Sequence, residues 1–236
     1  MFNGVTVGCN ATIIRFMKGV YNLRFTEVRY CKTWDVSKVL VFLRKLTPVR
    51  FLSLKDLTLK MIMLIALSSA CRTQSLQLLG IDNMVKGAKC FTLFYSGLLK
   101  QSRPGYNEAF LELFSYPPDM RLCVIFVLND YLSRTGKLRG NCKKLFISYV
   151  KPFGPVSRGT ISRWLKTVMS SLGIDLKSYS SHSIRSAVVS KAYQHAIPVE
   201  KIMQRAGWTN ARTFSKNYKK PIEMENQRFH NAIFKM

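Results

Sequence analysis

Apolar residues recur at helical spacing in several segments of this chain. Residues 53–56, SLKD, resemble a capping box that opens a strongly apolar helix running to about Ala70. An amphipathic helix is predicted just before it, over residues 35–46, with Pro48 as its stop. The apolar face of that helix consists of Val36, Val39, Leu40, Leu43 and Leu46.

Further helices are predicted on both sides of this pair. Residues 1–32 are weakly patterned and hold one short helix around ATIIRFMKGVYNL, and another helix covers residues 119–134. SRGTISRWLKTVMSSLG has an apolar stripe and ends at Gly173. Residues 180–218 are predicted to form three short helices, punctuated by proline and glycine, the first of them capped by Ser180 or Ser181.

Two segments are typical of β-strands. KCFTLFYS and EAFLELF are rich in β-forming residues, and the stretch between them, GLLKQSRPGYN, is polar, basic and contains Pro-Gly. This pattern predicts a hairpin with a basic tip. LFISYV, residues 145–150, is predicted to add a further strand. The expected fold class is α+β, mainly helical, with one small antiparallel sheet of three strands.

The charge of the chain is strongly one-sided. Its 236 residues include 37 Lys and Arg against 12 Asp and Glu, a formal net charge of +25. The surplus lies within patterned segments: residues 131–199 hold twelve basic residues and a single acid, Asp175. Positive charges at this density repel one another unless a polyanion neutralises them. The charge therefore favours a nucleic-acid-binding protein over a basic protein that has no specific partner.

Other features narrow the class of protein. The six cysteines are widely separated, which predicts reduced, buried thiols in an intracellular protein and no zinc site. The apolar run MIMLIALSSA is too short to cross a bilayer, so we expect no membrane association. The first residues lack the pattern of a secretory signal. No cofactor is indicated.

The stretch SSHSIRSAVVSKAYQHAIPVEKIMQRAGWTNARTFSKNY carries the candidate chemistry. His182 and Arg185 stand three apart at a predicted helix start, so their side chains share one face. A helix N-terminus already favours a phosphate, and an arginine fork can grip two phosphate oxygens. His-x-x-Arg alone is a weak motif, but Gly207-Trp208 and Tyr218 follow it, and Arg72 precedes it after the apolar helix.

The ordered set Arg72, Lys100, His182, Arg185, Gly207-Trp208 and Tyr218 resembles the tyrosine recombinase (phage integrase) family. The resemblance covers about residues 33–222, the catalytic domain of the family. ACRTQSL and AGWTNARTFSKNY are most similar to recombinases of eukaryotic mobile elements of the DIRS or Crypton kind. The resemblance implies the tyrosine recombinase fold, double-stranded DNA as the partner, a homo-oligomer on DNA, and a nuclear location.

The resemblance also implies a role for each residue. Tyr218 would attack the scissile phosphate and form a 3′-phosphotyrosine, with His182 assisting proton transfer. Lys100 would protonate the leaving 5′-oxygen. Arg72 and Arg185 would stabilise the charge of the transition state, and the indole N–H of Trp208 would donate to the phosphate.

Each assignment has a rival. Arg72 could cap the helix that it follows, and Trp208 could be an ordinary half-buried aromatic. Lys89 or Arg103 could replace Lys100. Tyr179 and Tyr193 compete with Tyr218 but lie beside the His-x-x-Arg, where the order is wrong for the family. His195 and His230 are interpreted as ordinary helix residues.

The expected organisation is a remnant of a core-binding domain and linker in residues 1–32, a catalytic domain in 33–222, and a tail in 223–236. Members of the family usually carry a whole helical core-binding domain first, and 32 residues are too few for one. The resemblance implies integration or excision of a mobile element. The alternatives are an inactive or domesticated DNA-binding protein, a type IB topoisomerase, and an RNA-binding protein.

Overall fold

The computed structural model describes residues 6–24, 30–102, 104–105, 110–208, 211, 214–215 and 218–222. The chain divides into two compact units, Met1–Cys31 and Lys32–Met236. The first unit contains helix α1, Ala11–Leu23, which begins where the side chain of Asn10 accepts the amides of Thr12 and Ile13. The predicted helix in this segment is therefore confirmed.

The second unit is mainly helical with one small sheet. Its elements in chain order are α2 (Val36–Lys45), α3 (Leu54–Ser69), α4 (Thr73–Leu78), β1 (Val85–Lys86), β2 (Cys90–Phe94), β3 (Phe110–Phe114), α5 (Val124–Thr135), α6 (Arg158–Ser170), α7 (Ser183–Gln194) and α8 (Val199–Ala206). The predicted fold class is confirmed.

Helix α3 is the centre of this unit because it is apolar on nearly all sides. Its neighbours are α5, α6, α7 and β3, and Ser53 caps it by accepting the amide of Asp56 at 3.0 Å. Lys60 is fully buried within it, and its ammonium donates to the carbonyls of Leu43 and Leu46 at the end of α2. These bonds satisfy carbonyls that the end of α2 would otherwise leave unpaired.

The sheet has the order β1-β2-β3, with both pairs antiparallel. Phe91 pairs with Leu113 and Leu93 with Leu111, and all four side chains are buried, as the alternating pattern predicts. The predicted hairpin is therefore confirmed. Its connection contains Lys100, and it brings that residue back towards the end of α3.

The start of the second unit lies beside the last residues that the structure describes. Thr33 forms a parallel bridge with Ile222, and its amide donates to the carbonyl of Pro221 at 2.9 Å. Beside it, the indole N–H of Trp34 donates to the hydroxyl of Ser183 at 3.0 Å, in the first turn of α7. The segment where the chain enters this unit thus contacts both the start of α7 and the residues that follow Tyr218.

Several sequence predictions are wrong in detail. Residues 145–150 do not form a strand; they contribute an isolated bridge between Ile147 and Pro155, and the third strand is Val85–Lys86. The helix predicted over residues 119–134 begins only at Val124, after a 3₁₀ turn.

The cap predicted for α7 is also wrong. The N-cap is His182, without a side-chain cap bond, while the hydroxyls of Ser181 and Ser162 pair at 2.7 Å. The last of the three predicted short helices, the one after Gly207, lies mostly outside the described residues.

The cysteines differ from the expectation of burial. None of the six forms a disulfide, but among them only Cys123 is buried, and Cys9 and Cys31 are exposed. Within the described part of the chain, no helix combines the length and the apolar character needed to cross a membrane.

Candidate active site

Arg185 is the buried centre of the candidate site. It lies on the first turn of α7 and is only 3% exposed. One terminal nitrogen donates to the carbonyl of Ala70 at 2.8 Å, and the other donates to the carbonyl of Ala206. These carbonyls lie at the ends of α3 and α8, so a single guanidinium joins three helices.

Tyr218 packs directly on this arginine and its neighbours. Its hydroxyl lies 2.9 Å from Nε2 of His182, and its ring centroid lies 4.3 Å from that of Trp208. Cζ of Arg185 lies 5.7 Å from the Tyr218 ring and 4.4 Å from the Trp208 ring. The cation therefore lies against two aromatic rings, an arrangement that stabilises a partly desolvated charge.

Two buried N–H groups at this point lack a partner. Nε of Arg185 and Nε1 of Trp208 form no hydrogen bond within the described residues, although Trp208 is only 8% exposed. A buried donor without an acceptor is unfavourable, and such groups are uncommon in native proteins. Adjacent unpaired donors on a cation and an indole suit an anionic oxygen, such as that of a phosphate.

Arg72 and Lys100 add positive charge beside this group. Arg72 lies just beyond the end of α3, at the N-cap of α4, and donates to Oε1 of Gln101 at 2.7 Å. Gln101 follows Lys100 in the turn after β2, so this bond links the end of α3 to the hairpin connection. Lys100 itself is exposed. Helix α3 and the hairpin together therefore position both cations.

These charges act on His182. Partial desolvation lowers the pKa of His182 below its ordinary value of 6.5, and the charges of Arg185, Arg72 and Lys100 lower that pKa further. The imidazole is therefore neutral at neutral pH, and in the tautomer that carries its proton on Nδ1 its Nε2 can accept the proton of Tyr218. Burial lowers the pKa of Arg185 to about 10, which still leaves the guanidinium charged.

The structure thus brings His182, Arg185, Trp208 and Tyr218 into direct contact, with Arg72 and Lys100 close enough to shift a pKa. The rival interpretation of Arg72 was a cap on the end of α3. There the carbonyl of Ala70 accepts from Arg185, whereas Arg72 donates to Gln101 in the hairpin connection. The burial of Trp208 also differs from the half-buried aromatic of the rival interpretation.

The rival residues lie in other surroundings. Lys89 precedes the first residue of β2, at the end opposite to Lys100, and Arg103 lies outside the described residues. The hydroxyl of Tyr179 donates to the carbonyl of Lys32, and the ring of Tyr193 packs against Phe214. Tyr218 is therefore the tyrosine that the structure places against His182.

Sequence reasoning did not single out Gln101 or Ser190. Gln101 bonds Arg72, and the hydroxyl of Ser190 donates to the carbonyl of Tyr218 at 2.7 Å. The only signal for Gln101 is its position next to Lys100. Among the described residues, no group of three or more His, Cys, Asp or Glu side chains is arranged to hold a metal ion.

Residues 38–223, more than half of the chain, match the model of the Phage integrase family. The chain belongs to the phage integrase family. No curated protein matches its sequence at a significant level.

Solved structures show the same fold for this integrase-family chain. XerA recombinase is similar over 95% of this chain and 74% of its own, with 13% identity and a TM-score of 0.62. The Tn1549 transposon integrase, in complex with transposon right end DNA, is similar over 99% of this chain and 81% of its own, with 12% identity and a TM-score of 0.57.

XerH, a site-specific recombinase bound to palindromic difH substrate in a post-cleavage complex, is also similar. The match covers 86% of this chain and 52% of XerH, with 13% identity and a TM-score of 0.60. The integrase-family chain therefore spans about half the length of that recombinase. At these identities the likeness establishes the shared fold, and the site residues rest on their own geometry.

Proposed function

We propose that this integrase-family chain cleaves and rejoins DNA strands through a covalent bond to Tyr218. The observation that carries the proposal is the 2.9 Å contact between the Tyr218 hydroxyl and Nε2 of a histidine whose pKa is lowered. A nucleophilic hydroxyl with a neutral base in hydrogen-bond reach is the arrangement that covalent catalysis requires.

The proposed reaction uses the remaining residues in turn. Oη of Tyr218 forms a bond to the scissile phosphorus as the bond from phosphorus to the 5′-oxygen breaks, and the tyrosine proton passes to His182. Lys100 gives a proton to the leaving 5′-oxygen. The product is a 3′-phosphotyrosine and a 5′-hydroxyl, and the reverse steps rejoin the strand without an external energy source.

The unpaired donors support the same reaction. Charge grows on the non-bridging phosphate oxygens in the transition state, and preorganised donors in a desolvated site stabilise it strongly. Nε of Arg185 and Nε1 of Trp208 are such donors, because they are buried and have no protein partner in the described part of the site. Arg72 contributes a further positive charge. It lies close enough to the site that its charge lowers the pKa of Arg185.

The biological role is also part of the proposal. Double-stranded DNA is the proposed partner, supported by the net charge of +25. We assign the chain to integration or excision of a mobile DNA element in the nucleus, acting as an oligomer on DNA. The resemblance of ACRTQSL and AGWTNARTFSKNY to recombinases of such elements supports this role.

A trapping experiment tests the chemistry without knowledge of the target site. The full chain is incubated with a pool of duplexes of random sequence, each nicked so that a released short 5′-hydroxyl fragment diffuses away. Adducts that survive denaturant are then recovered and sequenced. We expect adducts with the wild type and none with Tyr218→Phe, while DNA affinity stays unchanged.

Tyr193→Phe is the matched control. Tyr193 packs on Phe214 and lies near Lys219, so the variant removes a hydroxyl of the same kind close to the Tyr218 segment. It should leave adduct formation intact. Equal adduct yields from wild type and Tyr218→Phe would exclude Tyr218 as the nucleophile. A wild type that binds DNA but never forms an adduct would instead establish the non-catalytic DNA-binding alternative.

A further inference from the structure

Ser190 holds the backbone of the segment that carries Tyr218. Its hydroxyl donates to the carbonyl of Tyr218 at 2.7 Å and accepts the amide of Lys220 at 3.2 Å. Ser190 is only 2% exposed and lies on α7, eight residues after His182. One buried hydroxyl thus bridges the chain on both sides of Lys219.

This bridge meets a need of the segment. The amides of Tyr218 and Lys219 both donate to the carbonyl of Phe214, so the chain makes a hydrogen-bonded turn at Tyr218. The carbonyls of a last helical turn have no partner in their own helix. Ser190 supplies the donor that the carbonyl of Tyr218 lacks there.

The bond is also unusual for a serine inside a helix. Such a hydroxyl commonly turns back to a carbonyl of its own helix, as Ser69 does to Ile65 in α3 at 2.6 Å. The hydroxyl of Ser190 instead leaves α7 and bonds a segment 28 residues further along the chain. Its two partners both belong to the segment of the proposed nucleophile.

We propose that Ser190 is a positioning residue for the Tyr218 nucleophile, an inference that rests on the proposed function. Helix α7 then positions three parts of the site, because His182 is its N-cap and the helix carries both Arg185 and Ser190. The side chain of Tyr218 is placed by Trp208 and His182, and its backbone by Ser190. A small error in this placement has a large effect on rate, since covalent attack needs an aligned nucleophile.

The test uses the full chain on a trapping duplex obtained from the selection above, at saturating protein. Ser190→Ala leaves the carbonyl of Tyr218 without its donor, so we expect single-turnover cleavage to fall about tenfold or more, the effect of losing one to two hydrogen bonds. Ser190→Thr keeps the oxygen and should restore the rate to within about threefold on the same basis. DNA affinity should not change.

A second substrate separates nucleophile placement from leaving-group chemistry. A duplex with sulfur in place of the bridging 5′-oxygen releases a thiolate, which needs no proton from the protein. The defect of Ser190→Ala should persist on this duplex, whereas the defect of Lys100→Ala should largely disappear. Relief of the Ser190→Ala defect by the sulfur substrate would overturn the assignment.

Placement is also measured without cleavage. In a chain labelled with 3-fluorotyrosine, the ¹⁹F line of Tyr218 is identified by its absence in Tyr218→Phe. Ser190→Ala should shift or broaden that line and leave the line of the buried Tyr131 in place. Ser171→Ala is the control, because that hydroxyl, just beyond the end of α6, donates to the carbonyl of Val168.

The two proposals fail in different ways. An unmoved Tyr218 line together with a cleavage rate within about twofold of wild type would overturn the role of Ser190. A wild type that forms no adduct would overturn the proposed function, while the fluorine line still decides whether Ser190 places the tyrosine.

Discussion

Nε2 of His182 lies 2.9 Å from the hydroxyl oxygen of Tyr218, although the two residues are 36 positions apart. Their rings meet edge to face, with 5.9 Å between the centroids. The contact joins the N-cap of α7 to the segment that follows α8, so it depends on the packing of both helices.

The first prediction concerns the charge state of His182. Its pKa is lowered by desolvation and by three cations, so the imidazole should titrate below 6.5 in the DNA-free chain. An NMR titration measures this, with the His182 signal assigned by its loss in His182→Gln. Lys100→Ala removes a repulsive charge and should raise the pKa. An inflection at or above 6.5 in the wild type would contradict the arrangement.

The lowered pKa also affects stability. The folded state binds the His182 proton more weakly than the unfolded state, so this residue lowers the free energy of unfolding as pH falls below 6.5. His182→Gln should therefore lose less stability than the wild type between pH 7 and pH 5.

The second prediction concerns Arg185. Arg185→Lys keeps a positive charge but cannot reach the carbonyls of Ala70 and Ala206 together. We expect the free energy of unfolding to fall by about 1–3 kcal/mol, since a buried acceptor loses its donor. Urea denaturation measures this change. Arg72→Lys is the control and should be nearly neutral, because Arg72 is only partly buried.

The cleavage rates of the same two variants distinguish a catalytic role of each arginine from a purely structural one. Both should cleave more slowly, because each loses the fork of a proposed transition-state donor, by roughly 10²-fold if one donor is lost. An Arg185→Lys chain as stable as the wild type would show that the two carbonyl bonds contribute nothing to the fold.

The third prediction concerns the indole of Trp208. Trp208→Phe keeps a ring beside Arg185 and Tyr218 but removes an N–H that has no partner among the described residues. We expect nearly unchanged thermal stability and a cleavage rate lower by roughly 10²-fold. Trp208→His restores an N–H and should recover part of that rate. Full activity of Trp208→Phe would remove the indole from the proposed mechanism.

The fourth prediction concerns the buried Lys60. Desolvation lowers its pKa from 10.5 to about 8, so between these values the unfolded chain binds more protons than the folded chain. The stability of the wild type relative to Lys60→Met should therefore rise as pH increases from 8 to 10. Urea denaturation of both proteins at the two pH values measures this, and a constant difference would contradict it.

Much of the fold could be predicted from the sequence because the apolar positions are strongly periodic. Helix α3 and the hairpin have unambiguous patterns, and the buried Leu93 and Leu111 follow from alternation alone. The strand predicted over residues 145–150 shows a case in which a local pattern is not sufficient. They are apolar and β-forming, yet their neighbours in space offer only isolated bridges, and pairing partners cannot be deduced from a local pattern.

The candidate site could be proposed from the order of its residues along the chain, but the contacts among those residues could not be predicted. Arg185 was expected at a phosphate, and the structure shows it joining the ends of α3 and α8. The hydrogen bond of Ser190 with Tyr218 spans 28 residues and has no local signature. Such contacts follow from the packing of α7 against α8, which no short stretch of sequence specifies.

The parallel bridge between Thr33 and Ile222 places the start of the second unit beside the last described residues of the chain. A few added residues could therefore link Ile222 directly to Thr33, and the chain could be opened in an exposed loop elsewhere. Closely spaced ends are the condition under which such circular permutation is tolerated. In the permuted chain the segment that follows Tyr218 would be joined covalently to Thr33, which it already contacts through this bridge.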